Sequence, residues 1–127
     1  MKVLIVDDTT MVRVVLRRWC INLGLNEDDI LEAENGQRAL SRFEASSPDA
    51  VITDWSMPVM DGLTLVQEIR KRNSTVPIVM VTSQAERDQV VAALEAGIND
   101  YLVKPFSPTD IKKKLSKLFA LHATGRS

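Results

Sequence analysis

Val3-Leu4-Ile5-Val6-Asp7-Asp8 is an unbroken aliphatic run that stops on two carboxylates. A strand with no polar face has to be covered on both sides, the condition of strands in parallel sheets. Working outward, residues 10–23 read as a helix with Met11, Val14, Val15, Trp19 and Leu23 on one stripe, ended by Gly24. A weaker strand at Ile30-Leu31-Glu32-Ala33 leads through Asn35-Gly36 into a helix carrying Ala39, Leu40 and Phe43. Ser46-Ser47-Pro48 breaks that helix ahead of a strand at Ala50-Val51-Ile52-Thr53, and Leu65, Val66 and Ile69 mark a helix over 62–72. Val76-Pro77-Ile78-Val79-Met80-Val81 is the strongest strand, with its proline at the entry where it is tolerated. A helix over 86–96 that stops at Gly97, a strand at Asp100-Tyr101-Leu102-Val103, and a helix marked by Ile111, Leu115, Leu118 and Phe119 follow. Residues 122–127 read as a frayed polar tail.

Five strand–helix alternations with short connections specify an α/β, doubly wound parallel sheet, in one domain over 1–121. The 127 residues leave little room for a second domain. A net charge of −1 provides no basic field for nucleic acid. Cys20 is the single cysteine and His122 the single histidine, so neither an internal disulfide nor a Cys/His zinc cluster can form. Cys20 is expected to be a small buried hydrophobe, and Trp19 and Phe43 core residues. No apolar run is long enough to span a bilayer, and Asp7-Asp8 arrives too early for a signal-peptide core. The expectation is a cytoplasmic chain with no membrane or nucleic-acid partner.

In open α/β sheets ligands bind beyond the carboxyl ends of the strands. Those positions hold Asp7 and Asp8, then Asp54, then Thr82 and Ser83, then Lys104 and Pro105. Singly, each has an ordinary explanation: Asp7-Asp8 as caps, Asp54 as a turn residue, Thr82 as a cap, Lys104 as a solvated lysine. Their shared location at one end of successive strands is what raises them above that. If the first and third strands are neighbours, the carboxylates repel one another and call for a cation, and an all-oxygen cup favours Mg²⁺. Lys104 and Thr82 suit an anion arriving beside the metal, such as a phosphoryl group, and a carboxylate can itself accept that group as an acyl phosphate.

Asp7-Asp8, Asp54-Trp55-Ser56-Met57-Pro58-Val59-Met60-Asp61-Gly62, Thr82-Ser83 and Lys104-Pro105-Phe106 together resemble the signature of response-regulator receiver domains, over residues 2–121. Asp54-Trp55 and the overall length are most similar to the single-domain chemotaxis regulators of that family. The resemblance implies a flavodoxin-like fold with strand order 2-1-3-4-5 and five helices. It implies that Asp54 is the phosphoacceptor, supplied by a histidine kinase or a histidine phosphotransfer protein. Asp8, Asp54 and the Ser56 carbonyl would bind Mg²⁺ directly, with Asp7 acting mainly through water. Lys104, followed by a cis Lys104-Pro105 bond, would pair with the phosphoryl group. Thr82 would move onto that group and let Tyr101 swing from exposed to buried, remodelling the face of the fourth helix, fifth strand and fifth helix for a downstream protein such as a flagellar motor switch. Lys112, Lys113, Lys114 and Lys117 would draw an acidic partner to that face. Such a protein is a signalling acceptor rather than an enzyme, and is expected to be a monomer. Ser56 and Gln84 depart from the asparagine and the acidic residue of the chemotaxis relatives, which bears on phosphate lifetime.

Rival functions on the same architecture fit less well. An aspartate-nucleophile phosphatase carries Asp-x-Asp where this chain has Asp7-Asp8-Thr9-Thr10, and a dinucleotide enzyme needs a glycine-rich turn there. Asp7 and Asp8 would repel a flavin phosphate. A docking module that is never phosphorylated, and a receiver fragment of a larger regulator, are the remaining alternatives. Met1 runs straight into the first strand, so the amino end reads as natural.

Overall fold

The computed structural model describes residues 1–83 and 87–125. Its elements are β1 (Val3–Val6), α1 (Thr10–Asn22), a 3-10 turn (Glu27–Asp29), β2 (Ile30–Ala33), α2 (Gly36–Ser46), β3 (Ala50–Asp54), α3 (Gly62–Arg72), β4 (Ile78–Thr82), α4 (Arg87–Ala96), β5 (Asp100–Val103) and α5 (Pro108–Gly125). All pairings are parallel, in the order β2-β1-β3-β4-β5. β1 therefore lies between β2 and β3, and Val6 stands beside Thr53 one residue before Asp7 and Asp54.

Strand side chains alternate between two apolar layers. Leu4, Val6, Val51, Ile78 and Met80 pack with Ala39 and Phe43 of α2, Leu65, Val66 and Ile69 of α3, and Ala93 of α4. Val3, Ile5, Ala50, Ile52, Val79, Val81 and Leu102 pack with Leu16 and Cys20 of α1 and Ile111, Leu115 and Leu118 of α5. Every residue of β1, β3 and β4 is buried, which is why residues 3–6, 50–52 and 78–81 are continuous apolar runs. Cys20 is wholly buried, as expected, and desolvation pushes its thiol up to about 12 against a weaker opposing effect of Arg17.

Four readings need correction. The stripe of α1 runs through Val12, Leu16 and Cys20, with Trp19 and Leu23 beside it, whereas Met11 is 69% exposed. Valines at 12, 14 and 15 make several helical faces apolar, so periodicity alone mislocates the buried one. β4 begins at Ile78 rather than Val76: Pro77 has no N–H, and the Val76 N–H is taken by the Asn73 side chain at 2.9 Å. α5 continues to Gly125, so residues 122–125 form a helical extension rather than a frayed tail, 126–127 lying outside the described residues, and His122 is half-buried with Nε2 4.0 Å from Asp49. Of the α5 lysines, Lys114 is spent internally, 2.7 Å from Asp100 and 5.3 Å from the Tyr101 ring centroid.

Side-chain caps set where the helices on the α2–α3 side begin. The Asn35 carboxamide oxygen accepts the Arg38 N–H at 2.9 Å, and an Asp61 carboxylate oxygen accepts the Thr64 N–H at 2.8 Å. Gly97, at φ +119°, ends α4, and its carbonyl accepts two bonds from the Arg70 guanidinium at 3.0 and 2.7 Å.

Candidate functional site

Each strand end delivers one part of a polar cup. β1 runs out into Asp7, fully buried, and Asp8, exposed; β3 ends on Asp54, 6% exposed; β4 ends on Thr82, 3% exposed. Pairing of β4 with β5 extends one step beyond the strand, with the Lys104 N–H donating to the Thr82 carbonyl at 2.8 Å, and this aims Lys104 back over the rim. The peptide after it, Lys104-Pro105, is cis.

Oxygens of Asp7, Asp8 and Asp54 lie within 4.8 Å of one another. Lys104 Nζ sits 2.9 Å from Asp7 Oδ2 and 3.3 Å from Asp54 Oδ2. The remaining oxygens of the two buried carboxylates are occupied by main chain: Thr9 N–H donates to Asp7 Oδ1 and Trp55 N–H to Asp54 Oδ1, both at 2.8 Å. Burial pushes the Asp54 carboxyl up, the Asp7 charge adds to this, and Lys104 and the Trp55 N–H only partly oppose it. Burial works against the Lys104 ammonium, yet its bonds to Asp7 and its attraction to Asp54 hold its pKa above the usual lysine value. Two buried carboxylates share one ammonium while a third waits at the surface. A set of oxygen donors with this excess of negative charge fits a hard divalent cation such as Mg²⁺.

The sequence-derived residues are therefore brought together at Asp7, Asp8, Asp54, Thr82 and Lys104. Ser56 lies exposed in the β3–α3 loop. Tyr101, on β5, is half-buried against the α2–α3–α4 layer. Gln84 lies outside the described residues. Three features escaped the sequence reading. A Cβ on Gly62 would fall 2.0 Å from the Asp54 carbonyl, so the start of α3 is pressed against the main chain of Asp54. Gly36 makes the same kind of approach, its N–H donating to the Met60 carbonyl at 3.1 Å, which ties α2 to the β3–α3 loop. Arg13 of α1 donates to the Asp7 carbonyl at 2.6 Å. An Asp-Gly or Asn-Gly pair ahead of a helix is a sequence signal for the first two; nothing in the spacing marks Arg13.

A model of the response regulator receiver domain matches residues 3–116. The chain belongs to the response regulator receiver family. Among curated relatives, this receiver is 42% identical over 118 residues to chemotaxis protein CheY1 of Helicobacter pylori, spanning 91% of this chain and 94% of that protein. It is 40% identical over 121 residues to chemotaxis protein CheY-3 of Vibrio cholerae, spanning 94% and 92%. Among solved structures, chemotaxis protein CheY4 of Vibrio cholerae superposes with a TM-score of 0.84 at 29% identity, covering 92% of this receiver and 97% of that chain. A CheY-like response regulator receiver domain protein of Methanospirillum hungatei gives 0.85 at 26% identity, covering 97% of each. The five-stranded 2-1-3-4-5 sheet is thus the family's fold, and the acidic cluster sits at the pocket where receiver domains generally bind Mg²⁺. Among the described residues no helix is long and apolar enough to cross a membrane.

Proposed function

We propose that this receiver accepts a phosphoryl group from a histidine kinase or histidine phosphotransfer protein onto Asp54, and thereby switches its affinity for a downstream protein. The observation that carries this is a buried carboxylate held beside Asp7 and Asp8 with Lys104 Nζ at 3.3 Å. An Asp54 oxygen attacks the phosphorus of the phosphohistidine; the P–O bond forms as the P–N bond breaks, and the imidazole leaves with its electron pair. Lys104, 3.3 Å from Asp54, would pair with the oxygens of the incoming group, and Thr82 at the end of β4 would hydrogen-bond another. Mg²⁺, held by Asp8, Asp54 and the Ser56 carbonyl with Asp7 in support, would offset the charge that builds up during transfer.

The switch is a matter of a few kilocalories. An acyl phosphate adds roughly −1.5 to −2 charge to the rim. A new charge-assisted bond from Thr82 is worth about 1.5–3 kcal/mol, sufficient to bias a two-state equilibrium. Tyr101 lies on the neighbouring strand, half-buried, with the Lys114 ammonium near its ring, so its rearrangement would alter the α4–β5–α5 face. The readout is carried by that face, with exposed Val91, Leu94 and Val103 available to a partner. Likeness to chemotaxis proteins favours a flagellar motor switch as that partner. We further propose that residues 1–121 act as one monomeric, cytoplasmic unit, a phosphoacceptor rather than an enzyme.

Intact mass after incubation with Mg²⁺ and a small-molecule phosphodonor tests the reading. One phosphoryl adduct on the wild type, absent without Mg²⁺ and absent in Asp54→Asn, is the expected result. Uptake by Asp54→Asn at the wild-type rate would remove Asp54 as acceptor. No adduct on the wild type, with kinases as with small donors, would leave a phosphorylation-independent docking module.

A further inference from the structure

Asp7 ends β1 with its N–H donating to the Ala33 carbonyl of β2 at 3.1 Å, but its own carbonyl leaves the sheet as the chain turns into α1. A carbonyl on a fully buried residue needs a donor. Here the donor is a cation: Arg13 Nη1 at 2.6 Å. The peptide it grips is the one joining Asp7 to Asp8, so a positive charge is fixed on the link between two of the three carboxylates.

Arg13 is itself held. Its Nε donates to Glu32 Oε1 at 3.0 Å and its Nη2 to Thr10 Oγ1 at 3.3 Å. The other Glu32 oxygen takes Arg17 Nη1 at 3.1 Å, and Arg17 Nη2 continues to the Glu27 carbonyl at 3.1 Å. Glu32 stands on β2 beside Ile5 of β1, so the guanidinium is braced from the sheet and from its own helix together. The Arg13 side chain is 16% exposed, and its fork leaves little rotational freedom.

We infer that Arg13 is a positioning residue for the metal and phosphoacceptor cup, holding the Asp7–Asp8 peptide so that both carboxylates face Asp54. This deepens the metal-site reading given above and rests on it. A purely electrostatic role and a positioning role differ in sign. Removing a nearby positive charge should by itself tighten Mg²⁺ binding, whereas releasing the peptide should weaken it.

The test is titration of the full chain with MgCl₂, followed by tryptophan emission, to which Trp55 next to Asp54 contributes beside Trp19 of α1, alongside thermal unfolding without Mg²⁺. Arg13→Met should weaken Mg²⁺ binding about tenfold, the scale of losing a ligand's outer hydrogen bond. Arg13→Lys, which keeps the charge but not the fork, should fall between. Glu32→Gln should also weaken binding, and its combination with Arg13→Met should add little to Arg13→Met alone, because the two act as one unit. Arg13→Met binding as tightly as wild type, or more tightly, would overturn the inference. Should Arg13→Met unfold, wild-type affinity in a folded Arg13→Lys would overturn it equally. A wild type that binds no Mg²⁺ would overturn the metal-site reading and this one with it, a result distinguishable from equal binding by all variants.

Discussion

The two ends of the sheet solve opposite problems. At the amino-terminal edge, polar side chains finish what the backbone leaves open. An Asp49 carboxylate oxygen accepts the Lys2 N–H at 2.8 Å, and Asp49 returns its own N–H to the Lys2 carbonyl at 2.7 Å. Asn99 extends β5 alongside β4 as an extra strand residue would, accepting from the Ile78 N–H at 2.8 Å and donating its own N–H to the Ile78 carbonyl at 2.8 Å. Arg70 then locks Asn99 and Gly97 to α3. At the carboxyl-terminal edge, two buried carboxylates compete for one ammonium. There the β-branched Val59 is 75% exposed at φ +70°, a conformation that costs on the order of 1 kcal/mol outside glycine and asparagine. One edge is arranged for stability; the other gives stability up for a density of negative charge that fits a divalent cation.

That contrast can be broken most forcefully at Gly62. Gly62→Val should abolish phosphoryl uptake and destabilise the fold by several kcal/mol, about 3 or more, because its Cβ would sit 2.0 Å from the Asp54 carbonyl; mass spectrometry and denaturant unfolding read both effects. At the settled edge, Asn99→Ala should lower stability by about 1–3 kcal/mol in urea, since it strands the Ile78 N–H at the start of β4.

Asp54→Asn should do the reverse at the acidic edge. A carboxylate whose folded pKa is raised opposes folding when ionised, so removing it should raise the melting temperature at pH 7 by roughly 2–5 °C. The gain should shrink as pH falls through the raised Asp54 value, because the wild type then binds the proton and recovers the same stability. Phosphorylation of the wild type should correspondingly begin to fail at a higher pH than an ordinary aspartate would dictate. An Asp54→Asn variant less stable than wild type at pH 7 would contradict the division between edges. The smallest effect belongs to Val59→Asn, which should stabilise by about 0.5–1 kcal/mol in a chemical melt by relieving the positive φ.

Burial decides how much of this could be read beforehand. β1, β3 and β4 are covered on both faces, so their sequences are apolar apart from Thr53 until the polar residue at each end, Asp7, Asp54 or Thr82. Lys104 was legible from its place after Tyr101-Leu102-Val103, although β5 is only partly buried. The buried face of α1 was not, because its valines point several ways and the tertiary contact selects Val12, Leu16 and Cys20. The partners of Lys114 and Arg13 were not either. Lys114 reaches back 14 positions to Asp100, and Arg13 meets a carbonyl that is free only because the chain leaves the sheet there. Such pairings depend on how the chain bends in space, which residue spacing does not encode.

The bond between Lys104 and Asp7 joins positions 97 residues apart, and it carries a consequence for synthesis. A nascent chain carries both aspartates long before the ammonium that bridges them, so any pairing of β1 with β3 ahead of β5 would leave their acidic ends without Lys104. The last strand to leave the ribosome is the one that completes the charge balance. A chain interrupted before Lys104 therefore carries the acidic pair without the ammonium that bridges it.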